Sequence, residues 1–474
     1  MLSEVLERYD GPVLVERLAH LALRNDDATA HAAAYEALKH LHQTGQFSPH
    51  IEQLLNKASK MTPQDDQAAA ILMACCDPNW ITSLQNNKAA MLKELNADNL
   101  YHERDVSVNI RVATIYMYNR LYSDANNALA TSTVSAQTCQ LAEYSAQVGI
   151  LQGNNLHVAS QEKRIQGFLS TSLSNEAYTK RLTEEELTSY WRTRLLILFS
   201  LFLKQSFDDV AKEAYALVNA DPIMTVDKKP IYAIDVFNTS DFKKFIHKDE
   251  ITLAIMISVL LSRPSDELSE VVGEKEFVKL MGSSIPDVRE LVTALTNANY
   301  RKVFEVLEEL SPMAEESLLL NKVWSDVKLK FRRKGYMLYL SLVQRVTIDH
   351  LARKLNIESS RLLREFKELI RDENLEFEIT EDDKILQAVK TDKKVSYHDR
   401  LEKLSEQADN VEHTLSLRIE QEKMQDRKTP PPGARSPKQI TGAGPSILGT
   451  MSVTREFTKT PPGDESRSNV EGMD

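Results

Sequence analysis

The sequence predicts a mostly α-helical chain: a helical-repeat array, a small winged helix-turn-helix module, one further helix and a disordered tail. Three observations carry this. Glycine is scarce, 14 in 474 residues, about 3 per cent where globular chains average about 7. Apolar residues recur at intervals of three and four through most of the first 425 residues, the mark of amphipathic helices. Punctuation is crowded into residues 426–474, which hold 7 of the 16 prolines and 6 of the 14 glycines, with Phe457 as their one aromatic.

Composition excludes several classes. Apolar residues make up 42% of the chain, enough for a sizeable core. The formal charge of -11, from 58 Lys+Arg against 69 Asp+Glu, argues against wholesale nucleic-acid binding. Three cysteines, Cys75, Cys76 and Cys139, build neither a disulfide framework nor a four-ligand zinc site. The N-terminus places Glu4 and Glu7 where a signal peptide is basic. The longest apolar runs, Leu195 to Leu203 and Ile251 to Leu261, fall short of the roughly 18 residues of a membrane span. A soluble intracellular chain is expected.

Residues 1–285 read as the array. Val106 to Leu121 and Leu187 to Leu203, and beyond them Val288 to Leu295, are amphipathic helices, each followed by a polar turn, an aromatic and a second helix. The aromatics are Tyr122, Phe207 and Tyr300, expected to fill the elbow between paired helices, with Ser123 or Asp208 capping the second helix. Their spacings of 85 and 93 residues match no fixed repeat period. The pattern fits a degenerate array, or an irregular helical domain built on the same elbows.

A different pattern occupies residues 331–395. After a helix with Tyr336, Leu338, Leu340 and Val343, Thr347 opens a short helix with Ile348, Leu351 and Leu355 on one face, and Asn356 makes a turn. Glu358 to Asp372 follows as a longer helix with Leu362, Leu363, Phe366, Leu369 and Ile370 on one stripe. Period two then appears at Leu375, Phe377 and Ile379, and a strand returns from Ile385 to Val389. Residues 396–425 read as one helix whose Leu401, Leu404, Ala408, Val411 and Leu415 step by three and four, a seam made for a helix bundle. Residues 426–474 bury too little apolar surface to offset their ordering entropy.

The segment from Thr347 to Ile370 with its hairpin resembles the winged helix of the PCI domain, shared by the proteasome lid, the COP-nine signalosome and translation initiation factor three. The resemblance implies a right-handed, TPR-like helical-repeat array over 1–285, a PCI domain over 286–395 and a C-terminal bundle helix over 396–425. The block from Val327 through Phe331 to Tyr336, and Tyr9 and Gly11 followed by Val15 to Leu18, look most like signalosome subunit one, with lid subunit seven as its nearest relative. Where such proteins often have Gly and Asp, this chain has Asn374 and Thr380; Asn also tolerates the left-handed conformation.

The resemblance implies a non-catalytic scaffold without cofactor or metal. Its partners would be other PCI subunits, a zinc isopeptidase subunit and, as substrate, cullin-RING ubiquitin ligases, in cytoplasm and nucleus. Enzyme motifs give little. His40 and His42 have the spacing of an isopeptidase pair without the following Asp, and Gly442, Gly444 and Gly449 mimic a phosphate loop with no strand before them. Cys75 and Cys139 read as buried filler. In the second module helix, Arg361, Arg364, Lys367 and Arg371 are matched by Glu358, Glu365, Glu368 and Asp372, so DNA reading is the lesser alternative. Lys328, Lys330, Arg332, Arg333 and Lys334 put five cations in seven residues, a solvated helix face, a patch for an acidic partner, or a nuclear-import or nucleic-acid patch. The wing residues Phe377, Glu378 and Ile379 are expected to form an assembly edge, with a backbone donor of Glu378 pointing outward. Thr429, Ser436 and Thr460 each precede proline in the tail, where proline-directed kinases reach them.

Overall fold

A computed structural model describes residues 2–61, 66–95, 105–130, 137–174, 180, 182–239, 242–263, 286–373, 375–380 and 384–388. All of these fall in the unit Met1–Val389. Helices that follow one another in sequence pack on one another: Gly11–Arg24 on Ala28–Thr44, Val106–Tyr118 on Tyr122–Ala130, Thr138–Gln152 on Asn155–Ser174, and Pro286–Thr296 on Tyr300–Glu316. Nearest-neighbour packing of this kind is how helical arrays bury their stripes. The two longest apolar runs form its centre. In the helix Lys248–Ser262 every residue from Glu250 to Leu260 is buried. Among the described residues no helix is long and apolar enough to cross a membrane.

The elbows share one device. At Arg120, Gln205 and Ala298 the backbone turns left-handed, with φ of 57°, 63° and 51°. Each residue donates its N–H back three positions, Arg120 to Met117, Gln205 to Phe202 and Ala298 to Leu295, at 3.0, 2.8 and 3.0 Å. The next residue donates back five, Leu121 to Tyr116, Ser206 to Leu201 and Asn299 to Ala294. These paired bonds satisfy the last carbonyls of the incoming helix, a Schellman ending. Tyr122, Phe207 and Tyr300 then begin the second helix. Phe207 and Tyr300 are buried in the elbow and Tyr122 half-buried. Ser123 and Asp208 are not caps, as the sequence suggested, but lie in the first turn, because the helices start at the aromatics themselves. At the third elbow Asn299 is the cap, accepting from the Lys302 N–H. Glycine supplies the left-handed ending of Ala28–Thr44 and Thr138–Gln152, at Gly45 and Gly153, whereas the three elbow turns carry no glycine signal in the sequence.

The helix Asn321–Leu342 runs from the array into the terminal module. The module contains the strand Arg345–Thr347, the helices Ile348–Leu355 and Ser359–Asp372, and the strands Phe377–Thr380 and Ile385–Ala388. Asn356 turns left-handed between the helices, with φ of 56°. Ile348, Leu351, Leu355, Leu362, Phe366, Leu369 and Leu386 make the module's core, and Tyr336 joins it with its ring 4.8 Å from that of Phe366. The elements are those of a winged helix, with one addition to the expected hairpin. Arg345–Thr347 pairs antiparallel with Ile385–Ala388, so among the described residues the sheet has three strands and the returning strand is central. Three residues are too few for a period-two signal to stand out.

A buried polar clasp ties the helix Gly11–Arg24 to the helix Lys248–Ser262. Arg17 donates two bonds to Glu250, Nη1 to Oε1 at 3.0 Å and Nη2 to Oε2 at 2.8 Å. The Tyr9 hydroxyl donates to the same carboxylate at 3.0 Å, and Ser317 donates to it from the loop before the helix Asn321–Leu342. The Arg17 guanidinium lies 3.8 Å from the Tyr9 ring centroid. Burial pushes the Glu250 carboxyl up, but Arg17 and the other donors outweigh it and hold the group below its ordinary value. Outside the clasp, Arg24 pairs with Glu315.

Candidate partner-binding surfaces

The sheet of the terminal module leaves Phe377–Thr380 at its edge. Phe377 and Ile379 are half-buried against the core, while Glu378 is exposed on the other face. Hydrogen-bond alternation decides which backbone groups face out. Ala388 donates to the Gln344 carbonyl and Ile348 donates to that of Lys384, so positions 384, 386 and 388 of the central strand face Arg345–Thr347. Positions 385 and 387 therefore face the edge strand, where their partners are Thr380 and Glu378. The Glu378 backbone thus points inward, which corrects the expectation of an outward donor there. Phe377 and Ile379 carry the outward groups. The Phe377 N–H is engaged by the Leu375 carbonyl at 2.8 Å. Among the described residues, this edge accordingly offers the Ile379 N–H and the carbonyls of Phe377 and Ile379.

The five clustered cations of the helix Asn321–Leu342 are engaged within the chain. Arg332 is buried, and its Nε contacts Glu365 Oε1 at 3.1 Å and Oε2 at 2.9 Å. The Tyr336 hydroxyl donates to the same carboxylate at 2.7 Å. Burial raises the Glu365 carboxyl, but the bonds from Arg332 and Tyr336 bring it below the ordinary range. Lys328 pairs with Glu308 at 3.1 Å and Arg333 with Asp372 at 2.9 Å. Lys330 sits 4.7 Å from the Phe207 ring centroid. Lys334 donates to the Leu260 and Arg263 carbonyls at 2.6 and 2.5 Å, ending the helix Lys248–Ser262, and burial lowers its ammonium to about 8. The cluster works as a set of bolts joining array to module. In the second module helix, Arg361 pairs with Glu365 at 3.0 Å.

The histidines do not converge. His40 meets the Tyr118 hydroxyl at 3.0 Å, the His42 ring lies against Trp80, and His50 reaches Glu16 at 3.4 Å. Among the described residues no group of three or more His, Cys, Asp or Glu could hold a metal ion. Cys75 and Cys139 are buried, and burial raises both thiols. Leu401, Leu404, Ala408, Val411 and Leu415, the glycines from Gly442 to Gly449, and Thr429, Ser436 and Thr460 lie outside the described residues. The clasp was missed because Arg17 and Glu250 are 233 positions apart, and only a Glu just inside an apolar helix hinted at it.

Fold and surfaces together define a class: an α-helical array that carries a winged-helix module with an open sheet edge. Within it, the chain belongs to the CSN11 N-terminal domain family, whose model matches residues 5–328. That range covers the clasp, all three elbows and the first turns of the helix Asn321–Leu342. The matched family is that of subunit eleven, rather than the subunit-one group to which the sequence resemblance pointed. The chain is similar to the Cop9 signalosome complex subunit 11 of Saccharomyces cerevisiae, 25% identical over 226 residues, 46% of this chain and 49% of the relative. It is similar to the COP9 signalosome complex subunit 11 of Candida glabrata, 25% identical over 246 residues, 51% of this chain and 52% of the relative. The like-named protein of Eremothecium gossypii is 24% identical over 180 residues, 38% of this chain and 41% of the relative. The chain spans about half the length of the curated relatives it matches.

Proposed function

We propose that this chain is a non-catalytic scaffold subunit of a COP9 signalosome. The family match across residues 5–328 carries the reading, and the open edge of the wing supplies its mechanism. In it, the terminal module acts as a PCI winged helix: a neighbouring subunit adds a strand to Phe377–Thr380, since a partner strand satisfies the outward groups of Phe377 and Ile379 better than water held in a closed interface does. The seam of Leu401, Leu404, Ala408, Val411 and Leu415 joins a bundle built from the terminal helices of several subunits, each Leu contributing roughly 1.5–3 kcal/mol on burial. Thr429, Ser436 and Thr460 are phosphorylation sites that place negative charge beside basic residues of the tail. The complex removes the ubiquitin-like modifier Nedd from cullin-RING ligases through its zinc-bearing subunit, in cytoplasm and nucleus, and this chain holds PCI subunits together.

Mass spectrometry of proteins that co-purify with the full chain at native expression tests this. The account expects signalosome PCI subunits and the zinc isopeptidase, and accumulation of modified cullins when the chain is deleted. Proteasome-lid or initiation-factor subunits in their place, or unchanged cullin modification on deletion, would overturn it.

A further inference from the structure

The cations that remain exposed lie elsewhere than the cluster of the helix Asn321–Leu342. A groove of about 480 Å³ runs between the elbow at Ala298 and the helix Ile348–Leu355. Arg301, His350, Arg353 and Lys354 line it, Tyr339 is half-buried within it, and among the described residues no acidic side chain contributes. All four basic residues are exposed. Arg301 pairs with Glu305 at 3.1 Å on an open surface, its side chain 59% exposed, where water screens the pair. Arg353 lends only its Nε, to the Asp349 carbonyl at 3.3 Å. Lys354 and His350 have no partner among the described residues. One turn beyond Tyr339 on the same face, Leu342 is 73% exposed.

We propose that this groove binds an acidic peptide segment of a partner protein, its carboxylates on Arg353, Lys354 and Arg301 and an apolar side chain on Tyr339 and Leu342. Charge complementarity selects the acid. The surroundings select a short peptide over a nucleic acid. Glu305, Glu308, Glu309 and Glu358 line the neighbouring cleft and Asp349 is exposed beside His350. A long polyanion laid along the groove would meet these carboxylates at its flanks, whereas phosphate-backbone binding needs a continuous basic track. A segment of a few residues fits between them. The groove is lined by side chains of the elbow, of Tyr339 and of the helix Ile348–Leu355 and does not include the backbone edge at Ile379, so it is tested separately from the strand-addition reading.

The test is fluorescence anisotropy at low salt with the full chain and a labelled oligo-glutamate peptide carrying one leucine. Arg353→Glu with Lys354→Glu is compared with the control Lys163→Glu with Lys212→Glu, two exposed lysines elsewhere. Both variants are checked for wild-type melting. The groove variant should bind at least about tenfold more weakly, with the control unchanged. No binding by the wild type, or equal weakening in the control, overturns the proposal. So does a single-stranded oligonucleotide that binds more tightly than the peptide and is lost only in the groove variant, which would assign the groove to nucleic acid.

Discussion

Replacing Arg17 by Met removes one half of the buried clasp and leaves Glu250 in place. Both side chains are almost wholly buried, 4% and 9% exposed. Removing one partner of such a pair strands the other charge in a poor solvent and costs about 3–5 kcal/mol. In urea, with a slope near about 3 kcal/mol/M, the midpoint falls by more than about 1 M. Adding Glu250→Gln removes the stranded charge while leaving an acceptor for Tyr9 and Ser317, and recovers about 1–3 kcal/mol. The pH dependence separates wild type from variant. In the wild type the Glu250 carboxyl is held low, so its contribution is complete above the unfolded pKa of about 4.3 and is lost as pH falls through the folded value. In Arg17→Met, burial without its cation raises the carboxyl, and acidification below neutral narrows the gap to wild type. Denaturation followed by circular dichroism at two pH values reads all three quantities. A loss below about 1 kcal/mol, or no recovery in the double variant, would refute the clasp as an energetic link.

Two backbone positions give predictions of opposite sign. A Cβ at Gly335 would lie 2.6 Å from Tyr300 Cδ1 in a fully buried elbow, so Gly335→Ala costs about 1–2 kcal/mol net, overpacking outweighing a helix-propensity gain of about 1; a raised melting temperature would contradict this. Ala298 is left-handed with φ of 51°, so Ala298→Gly relieves about 1–2 kcal/mol of strain against about 0.5–1 of added chain entropy, and thermal melting should show a gain.

Periodicity made the helices legible, because a stripe at three and four residues is written locally, and the three aromatic elbows were read off Tyr122, Phe207 and Tyr300 for the same reason. What was not legible depends on distance or on backbone dihedrals. Arg120, Gln205 and Ala298 adopt conformations that sequence reserves for glycine, with no side-chain signal. The cation cluster looked like one surface, yet Arg332 reaches Glu365 in the module while Lys334 reaches carbonyls 71 and 74 residues away in the array. The wing was legible as a hairpin, but the direction of each N–H on its edge depends on the register with Arg345–Thr347, a strand of three residues.

The claim that this chain joins its complex through the wing edge rests on one outward donor, the Ile379 N–H. Ile379→Ala trims the half-buried side chain and keeps that donor, whereas Ile379→Pro removes it and blocks strand addition. The decisive measurement is the abundance of each variant in the complex isolated through another signalosome subunit, alongside the melting temperature of each full-length chain. The account predicts that Ala incorporates near the wild-type level and that Pro, with a melt matching that of Ala, is depleted at least about fivefold, as the loss of an interfacial backbone bond of about 1 kcal/mol plus a steric block requires. Equal incorporation of the two variants would contradict it.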